Sequence, residues 1–236
     1  MSADELSRLH LLQTAELDIE GRMPWSSNAT FLATLTVDGE ARGQAVYKPL
    51  RGERPLWDFE PGLHRREVAA YRLSAAMGLD VVPPTVLRDG PFGEGSLQWF
   101  VDVDHSQHYF TIYETREDVH DQMRSIAVFD VLANNTDRKS GHVLIDGDGH
   151  LWGIDNGLCF AAEFKLRTVV WEFGGEAIAP ALLEAVARVA AEVPVEVAEL
   201  LADDEVSAIA ERAADLLLDG TFPVDHTGRR YPWPLV

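Results

Sequence analysis

An apolar stretch with helical spacing, DVHDQMRSIAVFDVLANN (118–135), runs straight into a polar loop, NNTDRKSGH, and then into a short hairpin that closes on GIDNG. Met123, Ile126, Ala127, Phe129, Asp130 and Leu132 recur at helical intervals. HVLID (142–146) and HLWGIDNG (150–157) read as two strands joined by a GDG turn. Pairing those strands brings the loop before the hairpin and the loop after it to one end, and Asp137 and Asp155 with them. Two acids at the mouth of a hairpin suit a site that holds a metal and a base. Asp146-Gly147-Asp148-Gly149 looks like the start of a calcium loop, but the twelfth position, counted from Asp146, is Gly157 rather than an acid. That run is expected to be a plain turn.

The first half of the chain has a different pattern. TFLATLTV (30–37) is rich in β-branched and aromatic residues, Asp38-Gly39 is a turn signal, and ARGQAVYKP alternates again, so residues 30–48 predict a hairpin. PWSSNAT (24–30) predicts a tight turn ahead of it. The spacing of Val68, Ala69, Leu73, Ala76 and Met77 predicts a helix over 64–78, stopped by Gly78. Residues 81–87 carry Pro83-Pro84 and predict an extended edge segment. SLQWFVDV (96–103) predicts another strand. Beyond the second hairpin, residues 180–218 predict two or more helices, with breaks at Pro194 and Asp203-Asp204; the Pro- and Gly-rich tail from Pro223 has no predicted element.

Four residues stand in an order that phosphoryl transfer needs. Lys48 ends a strand, Glu67 lies early on the next helix, Asp137 is in the loop after an apolar helix, and Asp155 ends a strand. A lysine holds nucleotide phosphates, a carboxylate holds that lysine, one Asp orients the acceptor, and another binds the magnesium that neutralises developing charge. Each also has an ordinary reading: a solvated lysine, a surface helix acid, a turn-forming Asp and an Asn-Gly turn.

SSNATF, AVYKP, REVAAYRLSAAMGLDVVPPT, NNTDRKSGHVLI and GIDNGLCF together resemble the phosphatidylinositol 3-/4-kinase-like superfamily, in its type II phosphatidylinositol 4-kinase and HipA-like branches, and more narrowly an uncharacterised actinobacterial group of such kinases. The resemblance covers about residues 24–160. It implies that Ser26, Ser27, Asn28 and Ala29 form the loop over the nucleotide phosphates. It implies further that Lys48 binds phosphate, that Glu67 pairs with Lys48, and that Asp137 and its neighbour Arg138 are catalytic. Asp155 would bind metal, and Phe100 and Val101 would lie near the adenine. The position five residues after Asp137, where kinases carry an Asn for a second Mg²⁺, is His142 here. Imidazole suits Mn²⁺ or Zn²⁺ better than hard Mg²⁺, so His142 is a second metal candidate and ordinary turnover is in question.

Charge narrows the partners. Acids outnumber bases 39 to 20, a formal −19, which repels nucleic acid and anionic bilayers. No apolar run is long enough to span a bilayer, and the charged N-terminus has no secretory h-region. The single cysteine, Cys159, is expected to be packed, and it fits a reducing compartment. The expectation is a cytoplasmic α+β protein of one kinase-like domain (1–236), with a β-rich N-lobe (about 1–103) and a helical C-lobe (about 104–236). ATP and Mg²⁺ or Mn²⁺ would be its cofactors, and a small-molecule or protein hydroxyl its acceptor. The alternatives are a nucleotide-sensing pseudokinase and AMP transfer on the same fold.

Overall fold

The structure, a computed structural model, describes residues 2–24, 26, 28–104 and 106–235. Its N-terminal part is built on a five-stranded antiparallel sheet in the order β1-β2-β3-β5-β4, from β1 (Glu16–Arg22), β2 (Phe31–Val37), β3 (Glu40–Pro49), β4 (Thr85–Gly90) and β5 (Gly93–Trp99). The predicted β2–β3 hairpin forms, with Asp38 and Gly39 both at positive φ (52° and 77°) as its turn requires. Thr85–Gly90 is an edge strand, preceded by the two prolines that could not pair inside a sheet.

Three expectations need correcting. The strand predicted over 96–103 ends at Trp99, because the chain leaves the sheet after the Ala45–Trp99 pair and crosses to the helical part. The strand predicted over 150–157 ends at Gly153. Asp203 and Asp204 do not break a helix; they form its acidic first turn, where the helix dipole favours them. Three elements had no sequence expectation at all: α1 (Ala3–Thr14), β1, and α3 (Tyr109–Thr115).

Helix α2 (Leu63–Met77) lies under the sheet and is buried on most of its surface; Gly78, at φ 71°, ends it in the left-handed region that glycine enters without a Cβ penalty. The C-terminal part is helical. Helix α7 (Asp203–Asp219) packs on α4 (His120–Ala133), α5 (Pro180–Ala191) on α7 and α2, and α6 (Val195–Ala198) on α2. Phe129, Ile126 and Leu132 of α4 are fully buried; truncating a core phenylalanine costs about 3–5 kcal/mol. The strands β6 (Val143–Ile145) and β7 (Leu151–Gly153) form the second hairpin, with Val143 opposite Gly153. The tail returns over this part: the Arg230 carbonyl accepts from Thr168 N–H (3.1 Å) and the Leu235 carbonyl from Ser140 N–H (2.8 Å). Among the described residues, no helix is long and apolar enough to cross a membrane.

Candidate active site

Helix α4 carries one charged residue on its buried face, Asp130, and a buried charge must be partnered. Its partner is Arg138, eight residues on and also fully buried. The guanidinium donates from Nε and Nη2 to the carboxylate at 3.0–3.2 Å. Thr168 and Asn135 donate to the same carboxylate. The other guanidinium hydrogens reach the Ile154 carbonyl (2.7 Å) and Asn156 Oδ1 (2.7 Å). Arg138 thus ties the loop before the hairpin to the turn after it. Burial opposes its charge, but Asp130 outweighs burial and holds the guanidinium above its ordinary range. Arg138, which the resemblance gives as catalytic, has no exposed surface, and its guanidinium is spent on Asp130, Ile154 and Asn156.

Asp155 sits at φ +58°, a conformation that side chains other than Gly, Asn and Asp rarely adopt. It persists because its surroundings over-determine it. Asn156 is buried, donates to the Gly153 carbonyl (3.0 Å), and gives its own N–H to Glu67 Oε2 (3.0 Å). Glu67, buried on α2, turns its other oxygen to Lys48 Nζ. That ammonium also donates to Asp155 Oδ1 (2.8 Å). Three segments far apart in sequence therefore meet at Lys48. Its charge is opposed by burial, yet the neighbouring Asp155 and Glu67 raise its pKa above the lysine range; Asp155 is in turn held well below the carboxylate range, first by Lys48.

Asp137 lies on the same face. Its Oδ2 accepts from Lys139 Nζ (2.7 Å), and its N–H is held by Asn135 Oδ1 (3.0 Å). His142 Nδ1 is 3.0 Å from the Asp137 carbonyl and Nε2 is 3.6 Å from Asp155 Oδ2. With Nδ1–H donating to that carbonyl, Nε2 turns a lone pair toward Asp155, the arrangement that orients metal-binding imidazoles. Burial lowers its pKa. Among the described residues no group of three or more His, Cys, Asp or Glu could hold a metal alone. One carboxylate with one imidazole fits a divalent ion that takes its remaining ligands from phosphate oxygens and water.

The loop of residues 23–30 joins β1 to β2. Ser26 and Thr30 hydroxyls are 2.7 Å apart, Asn28 Oδ1 accepts from Arg54 N–H (2.9 Å), and Ala29 N–H donates to the Gly52 carbonyl (2.9 Å). The Ala29 N–H is thus spent within the chain; Ser27 lies outside the described residues. Phe100, half-buried, donates its N–H to the Gln44 carbonyl (3.0 Å) where the chain leaves the sheet, and half-buried Val101 follows it. Cys159 is buried, and burial raises its thiol pKa. Lys139 was missed by sequence reasoning; its spacing of two from Asp137 was the available signal. Asp130 was noted only as one of the helix-spaced residues, although an acid on an apolar face signals a buried partner.

The sequence model of the family described as phosphatidylinositol 3- and 4-kinase matches residues 84–185. Protein Rv2133c of Mycobacterium tuberculosis is 38% identical over 261 aligned residues, 95% of this chain and 94% of that protein. This chain belongs to the phosphatidylinositol 3-/4-kinase-like family. Phosphatidylinositol 4-kinase gamma 4 of Oryza sativa is 31% identical over 58% of the chain, which spans only 30% of that longer protein. Two solved structures share the fold at low identity: a Golgi casein kinase with Mn/ADP bound (TM-score 0.61, 16% identity, 100% of this chain and 81% of that one) and hydra Fam20 with sugar (TM-score 0.62, 12%, 93% and 88%). The fold is therefore α+β and kinase-like, with a β-sheet N-lobe and a helical part.

Proposed function

We propose that this family member is an ATP-dependent phosphotransferase that acts on a hydroxyl acceptor, and that the whole chain works as one two-lobed domain. The observation that carries the reading is Lys48 Nζ between Glu67 and Asp155, with Asp137 on the neighbouring loop. Lys48 takes the nucleotide phosphates once ATP draws it from Asp155. Asp155, with His142, holds a divalent ion, Mg²⁺ or Mn²⁺, which supplies charge neutralisation on the phosphates. The acceptor oxygen attacks the γ-phosphorus, the bond from that phosphorus to the bridging oxygen of ADP breaks, and the hydroxyl proton passes to Asp137. Lys139, already on Asp137, steadies the transferring charge.

A charge of −19 argues against a phosphoinositide in an anionic bilayer and for a soluble small molecule or a protein hydroxyl. The one cysteine, buried and protonated, supports a cytoplasmic protein. His142 favours a second reading, a nucleotide sensor without turnover or an AMP transferase, because it replaces the ligand that a second Mg²⁺ would use. Calorimetric titration with ATP in Mg²⁺, in Mn²⁺ and without metal, beside Asp155→Ala, is the first test. Metal-dependent binding lost in the variant supports the site; no binding under any condition rejects it. Product analysis with α- and γ-labelled ATP separates phosphoryl transfer, AMP transfer and binding alone.

A further inference from the structure

A cavity of about 290 Å³ lies between the loop ahead of α2, the segment that follows the Asp155 turn, and the first turn of α7. Its segment 161–165 is bound to the loop that leads into Asp137: Asn134 Nδ2 donates to the Ala161 and Glu163 carbonyls, and Asn134 Oδ1 accepts from Lys165 N–H. The cavity is therefore joined through Asn134 to the loop that leads into Asp137. Trp57 at its rim is 94% exposed, and Phe59 lines its wall. An indole left almost wholly in water offers apolar surface to a partner, although Lys165 already lies over its ring.

The charges in this cavity are lopsided. Arg66 is neutralised by Glu205 and donates to the Cys159 carbonyl. That leaves Asp58, Glu60, Glu163 and Asp204 against Lys165 alone. Lys165 shows what the cavity accepts: its ammonium lies 5.9 Å from the Trp57 ring centre and 5.6 Å from that of Phe59. It is loosely held there, at 3.7 Å from Asp58 and 3.6 Å from Glu163, with one long hydrogen bond to the Asp58 carbonyl (3.4 Å). Arg66 also lies 5.1 Å from the Phe59 ring centre, so the cavity already seats two cations against its aromatic faces while its carboxylates still exceed them in charge.

We propose that this cavity docks a lysine or arginine side chain of a protein acceptor, so that the phosphorylated hydroxyl lies in a basic peptide segment. This rests on the phosphotransferase reading and adds the acceptor's charge to it. The volume suits one long side chain rather than a folded surface, and the chain's −19 draws such a segment in from solution.

The test is an anisotropy titration of the full chain with a labelled eight-residue peptide that carries one serine among four lysines, against the same peptide with alanines for lysines. Trp57→Ala keeps every charge and should weaken binding of the lysine peptide roughly fivefold. Asp58→Asn with Glu163→Gln should weaken it about tenfold. Glu192→Gln with Glu199→Gln removes the same charge at exposed positions outside this cavity and should change it less than about twofold. Equal loss in both charge pairs, or an unchanged Trp57→Ala, overturns the docking site, since the attraction would then be diffuse. ATP titration of the same variants keeps the two readings apart: intact ATP binding without peptide selectivity rejects only the docking inference. If the acceptor is a polyamine instead, free spermine displaces the peptide and the alanine and lysine frameworks lose their distinction as substrates.

Discussion

The two halves of the site are built by different means. Around Asp155 and Asp137, the backbone is held by a buried chain of charges and amides: Asp130 to Arg138, Arg138 to Asn156, Asn156 to Glu67, Glu67 to Lys48. Among its described residues, the connection between β1 and β2 is held by the 2.9 Å bonds to Gly52 and Arg54, by Met23 N–H on the Thr30 carbonyl (2.8 Å) and by a hydroxyl pair. A buried ionic network specifies one geometry but leaves a stranded charge when any member is lost. A half-buried connection held by a few bonds is cheaper to perturb than a buried ionic network. In the first half, change therefore registers as lost fold; in the second it registers as altered binding.

Removing the centre of the buried half should have the largest effect. Arg138→Met leaves Asp130 in the core with only Asn135 and Thr168 as donors. The expected loss is about 3–5 kcal/mol, or a melting midpoint lower by roughly 10 °C for a chain of this size. Arg138→Lys should recover little, because one ammonium cannot reach Asp130, Ile154 and Asn156 together. An unchanged midpoint in either variant would mean that the network is not what holds this half.

Glu67→Gln lies on the boundary and sharpens the contrast. The amide still accepts from Asn156 N–H, so the fold should survive, while Lys48 loses its buried counter-charge. Nucleotide affinity should fall roughly tenfold or more, the worth of a charged hydrogen bond, with a smaller midpoint change than in Arg138→Met. Equal losses of stability and affinity would place Glu67 wholly in the scaffold.

How much of this was legible beforehand follows from the same division. The hairpin after α4 could be read because alternation, a GDG turn and an apolar helix are local signals. Lys48 and Glu67 could be paired because a strand end and the next helix are neighbours in a lobe of this kind. The Asp130–Arg138 pair could not be assigned from spacing, because both side chains turn into a core that only tertiary packing creates. Strand β1 escaped notice because ELDIEGR exposes most of its residues and reads as charged surface. The tail returns to the Asp137 loop through the Leu235 carbonyl on Ser140 N–H and to Thr168 through the Arg230 carbonyl, contacts that no side-chain pattern announces.

The helix that carries Glu67 has its own charged anchor. His64 is buried in the first turn of α2, with Nδ1 2.9 Å from Glu53 and Nε2 3.0 Å from Glu94; Arg65 also reaches Glu94 (3.3 Å). Burial opposes its charge, but bonds to both carboxylates outweigh burial and raise its pKa. Glu53 and Glu94 are lowered, Glu53 against its burial and Glu94 chiefly by His64. The imidazolium contribution is complete below the ordinary histidine value of about 6.5 and is lost as pH rises through the raised value. The carboxylate contribution is present above about 4.3 and is lost as pH falls through the lowered values. The anchor is therefore strongest from roughly pH 4.5 to 6.5. His64→Gln should cost on the order of 1 kcal/mol there and progressively less at alkaline pH. A penalty that stayed constant with pH, read from denaturant midpoints, would assign His64 to packing alone.

The smallest effect should come from the connection between β1 and β2. Ser26→Ala removes one partner of the Ser26–Thr30 hydroxyl pair, but Thr30 keeps its carbonyl bond to Met23 N–H (2.8 Å), so the strand ends stay joined. A neutral hydrogen bond at a half-exposed position is worth about 0.5–1.5 kcal/mol. The midpoint should therefore hardly move, and nucleotide affinity should fall less than about tenfold. The informative quantity is the ratio between the two. If Ser26→Ala lowers the midpoint as far as it weakens nucleotide binding, the loop is part of the scaffold, and the division between a buried half and a responsive half is wrong. If affinity falls alone, the loop meets its ligand with groups that the folded chain does not need for itself.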